Sequence, residues 1–360
     1  MSTFGTFVRT VEAIEPIEGA DNIEVAVLGD YRSIVKKGSY QPGDLTTYIQ
    51  EQSLVPDSIL TEMGLTGRLS GSLKNRVKII KLRGVYSQGL CYPPKPEWQL
   101  GQDVSEELGI IKWEQELPPN MKGKLGTIKL NGPYHSIAFK YDIENIKNHK
   151  NAFQENELVQ ISEKAHGSLA MFVYLPQAPV DEQFVFSSKG LFARGVQIKD
   201  CDENKDNVWI KLAHQIGIHD KLKLAHSLIG GDAVYIMGEV LGVQDLKYGL
   251  KPGQLDFRCF DVYSGVSPQG RFLNDIELDE LLKQIDLKRV EVLYRGPYSK
   301  EKVLEFTDGY ETTSGKQLHI REGVVVKPQV ERQVHGLGRL VLKSVSNAYL
   351  LRKGDVTEFE

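Results

Sequence analysis

The chain has 360 residues, 41% hydrophobic and 26% charged, the make-up of a folded globular protein, which excludes a disordered or fibrous one. A formal net charge of −4 argues against a protein that coats nucleic acid by bulk electrostatics, while leaving room for a local basic groove. No apolar run approaches the roughly 18 residues of a membrane span, Met1–Gly5 lacks a basic-then-apolar leader pattern, and Cys91, Cys201 and Cys259 form no C-x-x-C pair.

These features lead us to expect a cytoplasmic protein, or a nuclear one if the cell is eukaryotic, with no membrane partner, disulfide framework or thiolate zinc site. A monomer is expected. From residue 7 to about 110 the chain reads as short strands separated by turn signals, among them TFVRTVEAIEPI, IEVAVLGDYRSIVKKG, GDLTTYIQ and RVKIIKLRGVYSQGLCYP. This predicts a small all-β barrel. The segments IEPIEGADNIEVAVL and IVKKGSYQPGDLTTYI resemble the oligonucleotide/oligosaccharide-binding (OB) barrel of tRNA-binding modules, a fold that binds nucleic acid on one face and through its loops. Lys74, Arg76, Lys78, Lys81 and Arg83 alternate with apolar residues and are the candidate nucleic-acid-binding face; a solvated strand edge is the competing reading. Residues 117–136 carry Pro, Gly and Asn without periodicity and read as a linker. The domains are therefore placed at 1–120 and 121–360.

The second domain mixes strands with helical patterns in an α+β order. NDIELDELLKQI has Asn274 as a cap with Glu277 three residues on, and Ile276, Leu281, Leu282 and Ile285 as its apolar face. NVWIKLAHQIG is a second helix, with Trp209, Ile210, Ala213 and Ile216. The stretch VQISEKAHGSLAMFVY, residues 159–174, has an apolar run on each side of Glu163-Lys164-Ala165-His166-Gly167-Ser168. Taken alone it is a hairpin turn, with Lys164 and His166 solvated and Gly167 supplying the dihedral freedom of a tight connection.

Other charged residues lie at the ends of apolar strands: Glu239, Glu322, Lys327 and Lys343. If these and Lys164 end the strands of one mixed sheet, they converge on a cleft, where buried charges must be paired or bound to a ligand. Lysines with carboxylates suit a nucleoside triphosphate with a divalent metal.

In chain order, Lys164-Ala165-His166-Gly167, Ser188-Lys189-Gly190, Gly238-Glu239, Phe257-Arg258-Cys259-Phe260-Asp261, Glu322-Gly323-Val324-Val325-Val326-Lys327 and Leu342-Lys343 resemble the six motifs of the covalent nucleotidyltransferases. Their closest form is the ATP-dependent RNA ligase, in which K-x-H-G replaces the K-x-D-G of DNA ligases and capping enzymes. A barrel placed before the nucleotidyltransferase domain resembles the RNA ligase branch whose members seal nicks with an RNA 3′-hydroxyl end. The chain departs from the pattern in two places. Val345 stands where a second lysine is common, and Ser188-Lys189 where arginine is frequent.

The resemblance implies a fold and a set of roles. The fold is an OB-type barrel followed by a mixed α+β, ATP-grasp-like nucleotidyltransferase domain. Lys164 is the nucleophile that forms a lysyl-AMP; an ordinary amine, with a pKa of about 10.4, is mostly protonated, so neighbouring cations must assist it. Glu239 and Glu322 hold Mg2+ or Mn2+ directly or through water, with contact to the ATP ribose as the rival role for Glu239. Lys327 and Lys343 surround the phosphates of ATP, and Lys189 meets the AMP phosphate or the nucleic-acid 5′-phosphate. Phe260 stacks on adenine, although one of Phe257 and Phe260 must face the core. Glu163 reads the adenine edge, and His166, beside Gly167, positions a metal-bound water or the ribose. The implied partner is RNA or an RNA-containing nicked duplex. A GTP-dependent capping-type enzyme and a non-catalytic nucleic-acid-binding protein are the alternative readings.

Overall fold

The computed structural model of the chain describes residues 4–113, 123–128, 140–266 and 269–352. They fall into two compact units, residues 4–113 with 350–352 in the first and 123–128, 140–266 and 269–349 in the second.

In the first unit, Thr6–Thr10, Leu45–Gln50 and Gly89–Tyr92 form one antiparallel sheet, and Ala13–Pro16, Ile23–Leu28 and Tyr31–Lys36 form another. Val11, Ala26, Leu28, Tyr31 and Tyr48 make one core. The short helix Asp57–Glu62 buries Ile59 and Leu60 in a second core with Ile49, Val55 and Val77. This is the OB-type unit the turn signals predict. Its basic stretch is a correction. No strand runs from Arg76 to Arg83: Arg76 makes isolated bridges to Leu54 and Ser70, and only Ile80–Leu82 pairs, with Val85–Ser87. Arg83 and Gly84, at φ 48° and 81°, turn that hairpin in the left-handed region.

The second unit holds two large sheets where one was expected, with a small ribbon of Gln333–Val334 and Gly338–Arg339 beside them. A seven-stranded antiparallel sheet runs in the order Leu125–Thr127, Val196–Ile198, Phe184–Ser188, Ser168–Tyr174, Val234–Leu241, Asp256–Ser264, Arg271–Phe272. A five-stranded mixed sheet runs Glu144–Asn145, Leu342–Val345, Gly323–Pro328, Leu158–Glu163, Val292–Pro297. Leu125–Thr127 lies inside the expected linker but is an edge strand; residues 117–122 and 129–136 of that linker lie outside the described residues.

One face of the seven-stranded sheet packs Ala170, Phe172, Ile236 and Phe257 against Trp209, Leu212 and Leu222 of the helices Val208–Gln215 and Ile218–Ile229, and against Leu278, Leu281 and Leu282 of Asp275–Gln284. The other face buries Met171, Val173, Tyr235 and Met237. The central strands therefore read as continuous apolar runs, because both their faces are covered. The capping box of Asn274 and Glu277 is present as predicted, and Asn207 caps Val208–Gln215 by accepting from the Trp209 amide. Ile276 is exposed, and Leu278 takes its place in the buried stripe.

In the five-stranded sheet, Val159, Ile161, Val324, Val326 and Leu342 share one core. Period-two alternation then sends Gln160, Ser162, Val325, Lys327 and Lys343 to the opposite face. In register, Ser162 lies beside Val325, Val325 beside Lys343, and Gln160 beside Lys327.

Candidate active site

Leu158–Glu163 and Ser168–Tyr174 do not pair with each other: one is in the five-stranded sheet and the other in the seven-stranded sheet. Residues 164–167 are therefore a crossing between sheets and not a hairpin turn. Gly167 is needed there for close approach, not for its dihedral range. A Cβ at that position would lie 2.1 Å from the Val240 carbonyl oxygen, nearer than any side chain allows. The crossing is tied to the neighbouring strand by the Lys164 amide, which donates to the Gly323 carbonyl at 2.9 Å.

A cleft of about 720 Å3, counting space open to solvent, lies at this crossing. From the five-stranded sheet it receives Ser162, Glu163, Val325, Lys327 and Lys343; from the crossing, Lys164 and Ala165; from the seven-stranded sheet and its continuation, Leu169, Glu239, Phe260 and Lys189. Tyr141, Ile143 and Val290 complete the wall. The lining is that of a small-ligand site, apolar with a few convergent charges.

Lys164 Nζ donates to Glu322 Oε1. The second oxygen of Glu322 meets His166 Nδ1 at 3.1 Å, so both are engaged. Burial would raise the Glu322 carboxyl, but the Lys164 ammonium and His166 hold it at about 2. Glu239 behaves oppositely. Burial, with Glu322 adding to it, outweighs the pull of Lys164 and His166 and pushes its carboxyl up to about 8. His166 is 2% exposed and is not a solvated turn residue. Its Nδ1 also meets the Tyr349 hydroxyl at 2.8 Å and its Nε2 meets Asp245 Oδ1 at 2.7 Å.

Glu163 reaches the cleft, but Thr312 donates to its carboxylate from both backbone amide and hydroxyl, each at 2.6 Å, and Thr313 from its hydroxyl at 3.2 Å. Those threonines lock the residue before Lys164, and nothing in their sequence context signals it. Lys327, 4% exposed, donates to Asp261 Oδ1 at 2.7 Å and to the Phe260 carbonyl at 2.8 Å. Arg339 donates to both oxygens of Asp261, at 2.8 and 2.9 Å, and the Tyr141 hydroxyl also reaches that carboxylate. Burial depresses the Lys327 ammonium, with Asp261 opposing. Lys189 pairs with Asp142 at 2.9 Å. Lys343 is buried on the strand that pairs Val345 with Gly323.

Phe257 and Phe260 divide as the strand requires. Met237 pairs with Asp261 and Gly238 with Cys259, so Phe260 is left over as a bulge. Phe257 enters the helix-side core, while Phe260 and Asp261 both belong to the cleft side. Phe260 stands 5.4 Å from the Tyr141 ring, centroid to centroid, tilted by 36°. Asp261 could have been found from sequence by the criterion that found Lys327, a charge inside an apolar strand; Tyr141 carries no such signal.

Of the five candidate basic residues Lys74, Arg76, Lys78, Lys81 and Arg83, the structure separates one from the rest. Arg76 is 2% exposed and its guanidinium lies 4.1 Å from the Trp113 ring centroid. Lys74, Lys81 and Arg83 are exposed, and Lys78 is half-buried. Lys81 lies over Tyr86 at 5.0 Å, and Arg83 donates to the Gly19 carbonyl at 2.6 Å.

A family model described as RNA ligase matches residues 157–345, more than half of the chain, and one described as an OB-fold domain matches residues 6–94. The chain belongs to the RNA ligase family and carries an amino-terminal OB-fold domain. Among solved structures it is similar to a mutant of Naegleria gruberi RNA ligase with ATP and Mn, at 23% identity and TM-score 0.76, covering 96% of this chain and 98% of that one. It is similar to a second, apo mutant of that enzyme at 24% identity and TM-score 0.76, covering 97% and 98%. The same enzyme with PPi matches at 23% identity and TM-score 0.76, covering 96% and 97%. At these identities the likeness is one of fold. No curated protein matches the chain. No helix among the described residues is long and apolar enough to cross a membrane.

Proposed function

We propose that this chain is an ATP-dependent RNA ligase that joins a 5′-phosphate to a 3′-hydroxyl, at nicks with an RNA 3′ end, through an AMP carried on Lys164. One observation carries the reading: Lys164 stands on the crossing between two sheets, in a cleft where strands distant in sequence bring Lys327 and Lys343 beside an aromatic wall at Phe260. Structures of Naegleria gruberi RNA ligase with ATP and Mn, AMP and Mn, and PPi support it, being those of a like fold with the reactant and products of nucleotidyl transfer.

In the first step the Lys164 amine, having lost a proton, attacks the α-phosphorus. The N–P bond forms as the bond to pyrophosphate breaks. Lys343, Lys327 and Lys189 offset phosphate charge, and Phe260 with Tyr141 offers a face to the base. Glu322 fixes the Lys164 nitrogen at the head of its stem, which matters because a misplacement of about 1 Å can cost on the order of a hundredfold. AMP then passes to the 5′-phosphate of the RNA, and the 3′-hydroxyl displaces it to close the phosphodiester.

A divalent cation fits this cleft, since Glu239 brings a carboxylate into it among lysines that would meet the phosphates of a nucleotide. Among the described residues no three His, Cys, Asp or Glu form a metal cage. Glu239 would therefore hold Mg2+ or Mn2+ together with phosphate oxygens and water, the usual manner of Mg2+. Glu322, both of its oxygens engaged, would act through water. When bound, the ion offsets charge on the transferring phosphate.

The test is nick sealing with ATP or GTP, on strands ending in ribose or deoxyribose. ATP with a ribose end should give the fastest sealing, since the 2′-hydroxyl is the handle by which RNA is told from DNA. Sealing with GTP in preference to ATP would favour the capping-type reading, and binding without any nucleotide transfer the non-catalytic one. We place the division of labour between residues 1–120 and 121–360: removing the first segment should spare Lys164 adenylation and cripple sealing.

A further inference from the structure

The loop that follows the Glu239 strand grips the crossing that carries Lys164. Gln244 donates its side-chain amide to the Gly167 carbonyl. Asp245 Oδ1 meets His166 Nε2 at 2.7 Å, and the Tyr248 hydroxyl accepts from the His166 backbone amide at 2.6 Å. Three side chains from five consecutive positions thus hold two consecutive residues of the crossing. His166 passes this grip inward, because its other ring nitrogen faces Glu322 Oε2 at 3.1 Å, and Glu322 holds Lys164 Nζ through its remaining oxygen. Burial falls off outward along the chain: the side chains of Glu322 and His166 are each 2% exposed, that of Asp245 55%.

We propose that Asp245 is a positioning residue for the nucleophile: from an exposed loop it fixes the His166 ring, which fixes the second oxygen of Glu322 and leaves the first aimed at Lys164. The proposal rests on the reading of Lys164 as the group that carries AMP. A ring held at one nitrogen alone can rotate about its side-chain bonds, whereas contacts at both nitrogens define its plane and its depth. Tyr349 adds a contact at Nδ1 from the helix Asn347–Leu350, at 2.8 Å, and its ring meets the imidazole edge-on at 5.6 Å. Asp245 acts on the amine and not on ATP. It does not line the cleft, so its loss should lower the rate of nucleotidyl transfer and leave ATP affinity in place. Its exposure also makes it removable at little cost to the fold.

The experiment is single-turnover formation of the covalent AMP adduct by the full chain over a range of ATP concentrations, for wild type, Asp245→Asn, Asp245→Ala and Asp245→Glu. The expected result is a maximal rate roughly 10- to 100-fold lower in the Ala variant, with the ATP concentration at half-maximal rate unchanged and the melting temperature within a degree or two of wild type. Asp245→Asn should fall between Ala and wild type. Asp245→Glu should recover most of the rate, since the carboxylate returns on a loop that can adjust. Wild-type maximal rates in the Asn and Ala variants would overturn the proposal, as would a fall that comes with raised half-saturation by ATP. Failure of the wild type to form any adduct would instead overturn the reading of Lys164 on which the proposal stands.

Discussion

Two groups of cationic side chains, one in each unit, are arranged in opposite ways. Lys164, Lys189, Lys327 and Lys343 are scattered over half of the chain and line one cleft. Lys74, Arg76, Lys78, Lys81 and Arg83 lie within ten residues of sequence and are dispersed among a buried site, turns and a short hairpin. The difference is one of ladders. Strands paired in register place side chains on a common face at fixed spacing, so Val325 beside Lys343 and Gln160 beside Lys327 are consequences of pairing. Turns at Lys74, φ 54°, and Arg83, φ 48°, break that order in the first unit.

The largest effect expected from breaking the convergent group is chemical. Glu322→Ala and Lys343→Ala should each slow adduct formation about a hundred- to a thousandfold, the scale of removing one preorganised electrostatic partner. Near-normal single-turnover rates would show the cleft to be assembled for something else. Asp261→Asn should have an effect of similar size, on stability. It leaves Lys327 and Arg339 without their shared carboxylate, and breaking a buried pair costs about 3–5 kcal/mol. Burial works to raise the Asp261 carboxyl, but Arg339 and Lys327 hold it well below the usual carboxylate range. A depressed carboxyl contributes stability that is full above its unfolded value, about 3.9, and that is lost as pH falls below it. Melting curves across the acid range should therefore be steeper for the wild type than for Asp261→Asn, and equal slopes would contradict the ion-pair account.

Smaller effects sharpen the contrast between the groups. Gly167→Ala should cost about 1–3 kcal/mol by overpacking, read as a shift in the urea midpoint, because its methyl would meet the Val240 carbonyl. In the first unit, Arg76→Ala should destabilise by about 1–2 kcal/mol through lost packing on Trp113, with no change in the salt dependence of RNA binding. Lys81→Ala and Arg83→Ala should do the reverse, leaving stability alone and each reducing the salt slope by about one. If Arg76 alters the slope, the division between buried and exposed cations is wrong.

How far the molecule can be read from its sequence follows from the same contrast. Apolar runs, the capping box at Asn274 and the order of charged strand ends are local or additive signals, and they pointed to the OB unit, the α+β unit and the residues of the cleft. What the sequence does not carry is which strands are partners. Lys164 looks like a hairpin residue because the strands on either side are adjacent in the chain; only their pairing with Gly323–Pro328 and Val234–Leu241 separates them into two sheets. The Phe260 bulge is likewise a property of a register, as is the choice between Phe257 and Phe260. Thr312, Asp245 and Tyr349 were illegible for a different reason. Each is an ordinary polar residue whose importance comes from one contact with a residue many positions away.

The central claim is that Lys164 carries the nucleotide, and its most direct test is the site of the covalent adduct. The full chain is incubated with α-labelled ATP and Mg2+ or Mn2+, digested, and the AMP-bearing peptide mapped by mass spectrometry. The account predicts one AMP, bound through the Lys164 nitrogen and absent from Lys164→Met. AMP on Lys327, Lys343 or any other side chain, or an adduct that persists in Lys164→Met, would contradict it.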